Sequence, residues 1–155
     1  MRPKFKFLDI YAFDFVRHSE LLYGEDFRSE LRVPDPRGLA PERARELVEK
    51  IHKQHEEGNL WAVSVCASEA MRTAQLYYGE RTIDKRRILI NFHRYVPPFP
   101  LKGFADELWR EYLTPSYLEE LSNNERKAYY ENCVRFAEQI SALLAEEERK
   151  HKPNV

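Results

Sequence analysis

The segment from Asn59 to Tyr78 constrains the fold of this chain more than any other. Apolar residues would lie on almost every side of a helix formed by it: Leu60, Trp61, Val63, Val65, Ala67, Met71, Ala74 and Tyr77. A helix that is apolar all round is buried among other elements. The segment therefore predicts a central, buried helix that stops at Gly79.

Two further helices are predicted on either side of this segment. Pro41 suits the first helical position and Gly58 suits the position just past a helix end, with one apolar stripe between them. Asp84 is placed to cap a later helix, which must end before Pro97 because a residue that precedes proline is disfavoured in the helical conformation.

The last third of the chain predicts more helices. A short one is expected at Phe104–Leu113, another is expected to start at Pro115, and Ser122 and Glu125 have the spacing of a capping box before a long final helix. Together the segments predict a bundle of about five helices. The predicted divisions are a strand and turn-rich segment, a helical domain and a frayed tail, at residues 1–39, 40–148 and 149–155.

The N-terminal segment predicts one β-strand. Residues from Lys4 to Val16 are rich in Phe, Tyr, Ile and Val, and apolar residues fall on both faces of the strand. A lone strand leaves its backbone groups unpaired and is unstable by itself. We therefore expect a homodimer, or another chain that completes the strand. The predicted fold class is mainly α: a bundle of about five helices preceded by one N-terminal β-strand and an irregular segment.

Composition argues against several classes of protein. The net charge of −1, from 25 basic and 26 acidic residues, gives no support to a duplex DNA-binding surface. No apolar run approaches the roughly 18 residues that a membrane span needs, and the first residues lack a signal-peptide pattern, so we expect a cytoplasmic location. Cys66 and Cys133 lie among apolar residues in helical patterns, which favours two buried thiols over a disulfide.

The run Leu22 to Asp26, Leu-Tyr-Gly-Glu-Asp, follows the predicted strand. This arrangement resembles the DNA polymerase β-like nucleotidyltransferases, in which a last strand leads through a Leu-Tyr-Gly turn to a helical domain. By this resemblance Asp9 matches a third carboxylate of the family. The family's catalytic Gly-Ser turn and Asp-x-Asp pair are not found in this sequence. The resemblance thus implies a nucleotide- or substrate-binding half, or a partner subunit, that uses ATP and Mg²⁺ only with a catalytic partner.

The segment from Asn59 to Leu144 resembles the helical domain of aminoglycoside (streptomycin/spectinomycin) adenylyltransferases. In those enzymes a helix with an inward Arg is followed by a Gly turn, then by a Lys that opens the next helix, and then by a Pro-bounded segment. This chain has the same order: Arg72, Gly79, Lys85 and Pro97. The resemblance implies that Arg72 and Lys85 contact nucleotide phosphates. The alternative is structural: Arg72 can pair with Glu69 at i,i+3.

Other patterns leave a second function open. Arg87 and His93 have the spacing of the Arg-x(4–6)-His motif and resemble HEPN-family ribonucleases, which would imply a dimer that cleaves RNA by acid–base chemistry. The alternative for these two residues is that they lie on a solvated helix face. For the whole protein, a third alternative is a helical scaffold without a ligand. His18, His52 and His55 invite a metal site, but no cysteine or carboxylate completes a tight ligand spacing, so none is predicted.

Overall fold

The computed structural model describes Gly24 and residues 36–79 and 84–151. The chain forms two compact units, and the described part of the second unit contains five α-helices. They are α1 (Ala40–Glu56), α2 (Leu60–Tyr78), α3 (Ile88–Tyr95), α4 (Phe104–Leu113) and α5 (Asn123–His151), with a 3-10 helix at Pro115–Glu120. Of the first unit, the structure describes Gly24 and a 3-10 helix at Pro36–Leu39. The predicted, mainly helical bundle is confirmed, while the predicted strand and Asp9 lie outside the described residues.

The described helices do not include a membrane span: none combines the length and the apolar character that a bilayer crossing requires.

Helix α2 is the centre of the bundle, since it contacts each of the other four helices. The residues that face them are almost fully buried, among them Val63, Ala67, Ala70, Met71 and Ala74. The predicted central helix is confirmed. The prediction that α2 is buried on nearly every side is wrong for its first turns, where Leu60, Trp61 and Val65 are exposed. Trp61 and Val65 line a cleft between α2 and α4.

Two glycines end the first two helices for different reasons. Gly58 follows α1 with a φ of 73°, a left-handed conformation that glycine adopts without the steric cost of a Cβ atom. Gly79 has an extended backbone, and it is needed because there is no room for a side chain. A Cβ atom at this position would lie 2.4 Å from Cγ of Tyr95. The absence of a side chain at position 79 thus allows the end of α3 to approach the end of α2.

Helix α3 begins later than the sequence predicts. The carboxylate of Asp84 accepts a hydrogen bond from the backbone N–H of Arg86, and its carbonyl accepts one from Arg87, both at 2.9 Å. Asp84 therefore stabilises a turn, and Arg87 occupies the N-cap position of the helix. The prediction that Asp84 caps the helix is wrong, and Lys85 lies in the turn instead of opening the helix.

Aromatic packing joins the later helices to one another. The ring of Phe136 on α5 lies 6.0 Å from that of Phe92 on α3, 5.7 Å from that of Phe99 and 5.7 Å from that of Phe104 on α4. Phe92 and Phe136 are completely buried. This cluster fixes α4 against α5, and so determines the wall of the cleft that α4 forms.

The predicted capping box at the start of α5 is confirmed. The backbone N–H of Glu125 donates to Oγ of Ser122 at 3.2 Å, and the N–H of Ser122 donates to Oε2 of Glu125 at 2.8 Å. Each side chain thereby satisfies a backbone donor that the first turn of a helix leaves without a partner.

We expect Ser122→Ala to lower the free energy of unfolding by about 1 kcal/mol, because it removes the acceptor at the N-cap. Urea denaturation followed by circular dichroism measures this change. Ser141→Ala, in the interior of α5, is the matched control and should be neutral or slightly stabilising. Equal midpoints for the two variants would show that the capping box does not stabilise the domain.

Helix α5 continues to His151, past the predicted start of the tail at Arg149. Its last residues pair with carboxylates one turn earlier: Arg149 with Glu146, and both Lys150 and His151 with Glu147 at 3.7 Å. Basic side chains in a last turn also interact favourably with the helix dipole. Both effects extend the helix beyond the point at which its apolar pattern stops.

Both cysteines are free and buried, as predicted. Cys66 lies on α2 and Cys133 on α5, and burial raises the pKa of both thiols. A thiol with a raised pKa is protonated at neutral pH and a poor nucleophile. Their role is therefore packing.

Candidate nucleotide-binding cleft

An open cleft of about 390 Å³ lies between α2 and the end of α4. Its α2 side consists of residues that follow one another at helical spacing, and α4 contributes two residues from its last turn. The lining residues are Trp61, Ser64, Val65, Ser68, Glu69, Arg72, Glu111 and Tyr112. The cleft thus combines aromatic rings, hydroxyl groups, two carboxylates and one guanidinium group.

A buried hydrogen-bond chain forms one side of the cleft and connects three helices. Oγ of Ser64 on α2 donates to Oε2 of Glu111 on α4 at 3.0 Å. Because a hydroxyl group has one proton to donate, the phenol of Tyr129 on α5 donates to Oγ of Ser64, at 3.1 Å. Burial raises the pKa of Tyr129, which keeps this donor protonated. The chain fixes the end of α4 relative to α2.

Arg72 and Lys85 meet at one aromatic ring. The guanidinium carbon of Arg72 lies 5.8 Å from the ring centroid of Tyr112, and Nζ of Lys85 lies 5.4 Å from the same centroid. Both distances fall within the range of cation–π attraction. The Tyr112 ring is itself stacked on Trp109, at 4.6 Å between centroids and 15° between planes. Two positive charges are therefore held beside Tyr112, one of the residues that line the cleft.

The guanidinium group of Arg72 is only partly neutralised. Its NH1 atom lies 3.8 Å from Oε1 of Glu69, so the predicted i,i+3 ion pair is present but long. Its Nε atom is buried and has no acceptor among the described residues. A buried donor without a partner is costly, at about 1–3 kcal/mol. The side chain of Arg72 is 24% exposed, so its guanidinium group can also donate to an anionic oxygen in the cleft.

The local patterns missed six of the residues that line this site: Trp61, Ser64, Val65, Ser68, Glu111 and Tyr112. Ser64 meets Glu111 and Tyr129 across 47 and 65 residues of chain, and such contacts leave no periodic signal. Trp61 belongs to a segment whose apolar residues predict burial, and it is 76% exposed. The one available signal was the spacing of Trp109 and Tyr112, which places two large rings on one side of α4.

The two residues of the second predicted pair, Arg87 and His93, each contact a different carboxylate. Nε of Arg87 lies 3.8 Å from the carboxylate of Asp84 in the preceding turn. Nε2 of His93 lies 2.8 Å from Oδ2 of Asp106 on α4. Both side chains are exposed. Within one chain, each residue therefore contacts a carboxylate of its own, and RNA cleavage remains a prediction of the motif alone.

One histidine of α1, His52, has a carboxylate partner on another helix. Nε2 of His52 lies 2.7 Å from Oε1 of Glu138 on α5. Within the described ranges, no three His, Cys, Asp or Glu side chains are grouped so that they could hold a metal ion.

Comparison of this chain with protein-family models, with curated proteins and with solved structures finds no match. Any functional assignment therefore depends on the residues of the chain and the geometry of the cleft.

Proposed function

We propose that this protein is related to the nucleotidyltransferases and binds the phosphates of a nucleotide in the cleft between α2 and α4. It would act as a nucleotide-binding half or partner subunit that does not catalyse by itself. The observation that supports this proposal most directly is the position of Arg72 and Lys85 at the ring of Tyr112. The resemblance to the adenylyltransferases implies a phosphate contact for the same two residues.

The chemistry of the two cations suits a phosphate chain. A guanidinium group donates from several N–H groups in one plane to phosphate oxygens, and an ammonium group adds a compact point charge. Arg72 lines the cleft and has only one long ion pair, so its guanidinium group could donate to a phosphate oxygen without losing a short bond. Two carboxylates, Glu69 and Glu111, line the same cleft and repel an anion. We therefore expect the affinity for free nucleotide to be weak.

Catalysis would require residues that this sequence does not contain. The family's Gly-Ser turn and Asp-x-Asp pair are missing from the given sequence, and Asp9 is the single matching carboxylate. One carboxylate is insufficient for a two-metal site. In this proposal the N-terminal strand pairs in a homodimer or with the catalytic chain, which would bring Mg²⁺ to the bound ATP.

Isothermal titration of the full chain with ATP and Mg²⁺ tests the phosphate site. We expect measurable binding, and a loss of at least tenfold in affinity for Arg72→Ala/Lys85→Ala, since each charged contact contributes about 1.5–3 kcal/mol. Lys127→Ala/Arg135→Ala is the matched control, because it removes two positive charges from exposed positions on α5. Absence of binding at millimolar ATP, or equal loss in both double variants, would contradict the proposed function.

A further inference from the structure

We infer that Trp61 is the platform on which the base of the bound nucleotide stacks, so that the cleft selects a nucleoside triphosphate over the phosphate chain alone. This inference rests on the proposed function and names the ligand class of the same site. It adds a second recognition element, at the opposite end of the cleft from Arg72 and Lys85.

Trp61 is unusual among the aromatic residues of the domain. It is 76% exposed, whereas Trp109, the other tryptophan, is 4% exposed and stacked on Tyr112. A single exposed apolar side chain is common on protein surfaces. Trp61 differs because it lines the cleft beside a second exposed apolar residue, Val65. Its ring therefore offers a free π-face to whatever occupies the cleft.

The groups of the cleft follow one another in the order of the parts of a nucleotide. Trp61 and Arg72 are eleven residues apart, about three helical turns, so their side chains project from the same face of α2. Ser68 lies between them, and its hydroxyl is the kind of group that binds a sugar. An aromatic ring, a hydroxyl and a cation pair thus match a base, a ribose and a phosphate chain in sequence.

The separation of the two ends favours an elongated ligand. Eleven residues of α-helix span roughly 16 Å, which is long compared with a single phosphate or a base alone. A ligand that contacts both Trp61 and Arg72 must carry an aromatic group and a negative charge far apart. A nucleoside triphosphate meets this requirement better than a nucleoside monophosphate, whose charge lies next to its sugar.

Titrations of the full chain with three probes test this inference: ATP, AMP and inorganic triphosphate. We expect ATP to bind more tightly than either of the other two. Trp61→Ala should weaken ATP binding about tenfold, because stacking of a base on an aromatic side chain contributes roughly 1–3 kcal/mol. The same variant should leave the affinity for inorganic triphosphate unchanged. Trp61→Phe, which keeps a ring, should retain most of the affinity for ATP.

The outcomes separate this inference from the proposed function. If ATP and inorganic triphosphate bind equally, and Trp61→Ala binds ATP as the wild type does, stacking is refuted while the phosphate site stands. If neither probe binds the wild type, the proposed function fails as well. Sedimentation of the same variants gives an independent check: a change in oligomeric state with Trp61→Ala, without a change in ATP affinity, would assign Trp61 to a protein interface and overturn the inference.

Discussion

Replacing Trp109 with alanine is expected to lower the free energy of unfolding by about 3–5 kcal/mol, the cost of removing a buried aromatic side chain. Trp109 is 4% exposed, belongs to the core, and stacks on Tyr112. Trp61→Ala is chemically the same replacement at a position that is 76% exposed, and it should cost no more than about 0.5 kcal/mol. The large difference follows from burial alone.

Thermal unfolding followed by circular dichroism measures both variants. For a chain of this size, the expected loss in Trp109→Ala corresponds to a fall of roughly 6–20 °C in Tm. Trp61→Ala should unfold within a few degrees of the wild type. Similar losses for the two variants would mean that Trp61 is buried in solution, which would also remove the basis for base stacking. Each variant retains a single tryptophan, so the fluorescence of the variant reports the surroundings of that remaining residue.

The helices could be predicted from the sequence because local patterns encode them. Apolar residues at helical spacing marked α1, α2 and α5, and the cap of α5 followed from the spacing of Ser122 and Glu125 alone. Such signals depend on neighbours within four residues, and local energetics determine them. The predicted start of α3 was wrong because an Asp residue is favoured both in turns and at helix N-caps. The local sequence around Asp84 does not distinguish between the two.

The site could be predicted only in part, because it is assembled from distant segments. The resemblance predicts phosphate contacts for Arg72 and Lys85. The ring that both cations approach belongs to Tyr112, at the end of α4. The exposure of Trp61 could not be predicted either, because an apolar residue in an apolar helix predicts burial. This turn of α2 is exposed because of the way in which α4 packs against α2. A contact between residues tens of positions apart depends on tertiary packing, for which one sequence provides no periodic signal.

The domain is expected to lose stability at alkaline pH, because two buried groups on α5 resist deprotonation in the folded state. Burial is the main cause that raises the pKa of Tyr129 and of Cys133 above their ordinary values of 10.0 and 9.0. Both are almost completely inaccessible to solvent. Since the folded pKa exceeds the unfolded one, the unfolded chain releases these protons first. Stability is therefore complete below about pH 9 and falls as the pH rises.

The expected size of this effect follows from proton linkage. Each group lowers the free energy of unfolding by about 1.4 kcal/mol per pH unit above its unfolded pKa. Cys133 and Tyr129 together should cost about 4 kcal/mol between about pH 8 and about pH 11. Tyr130 and Cys66, whose pKa values burial also raises, add to the decline.

Urea denaturation at a series of alkaline pH values measures this decline, and the double variant Tyr129→Phe/Cys133→Ala is its control. The double variant is less stable at neutral pH, because Ser64 loses the phenol that donates to it. Its stability should nevertheless fall less steeply with pH, since neither replacement carries a titratable proton. Parallel curves for the wild type and the double variant would show that these two groups titrate in the folded protein as they do in the unfolded chain. That result would show that Tyr129 and Cys133 are accessible to water in the folded protein, which would contradict their almost complete burial.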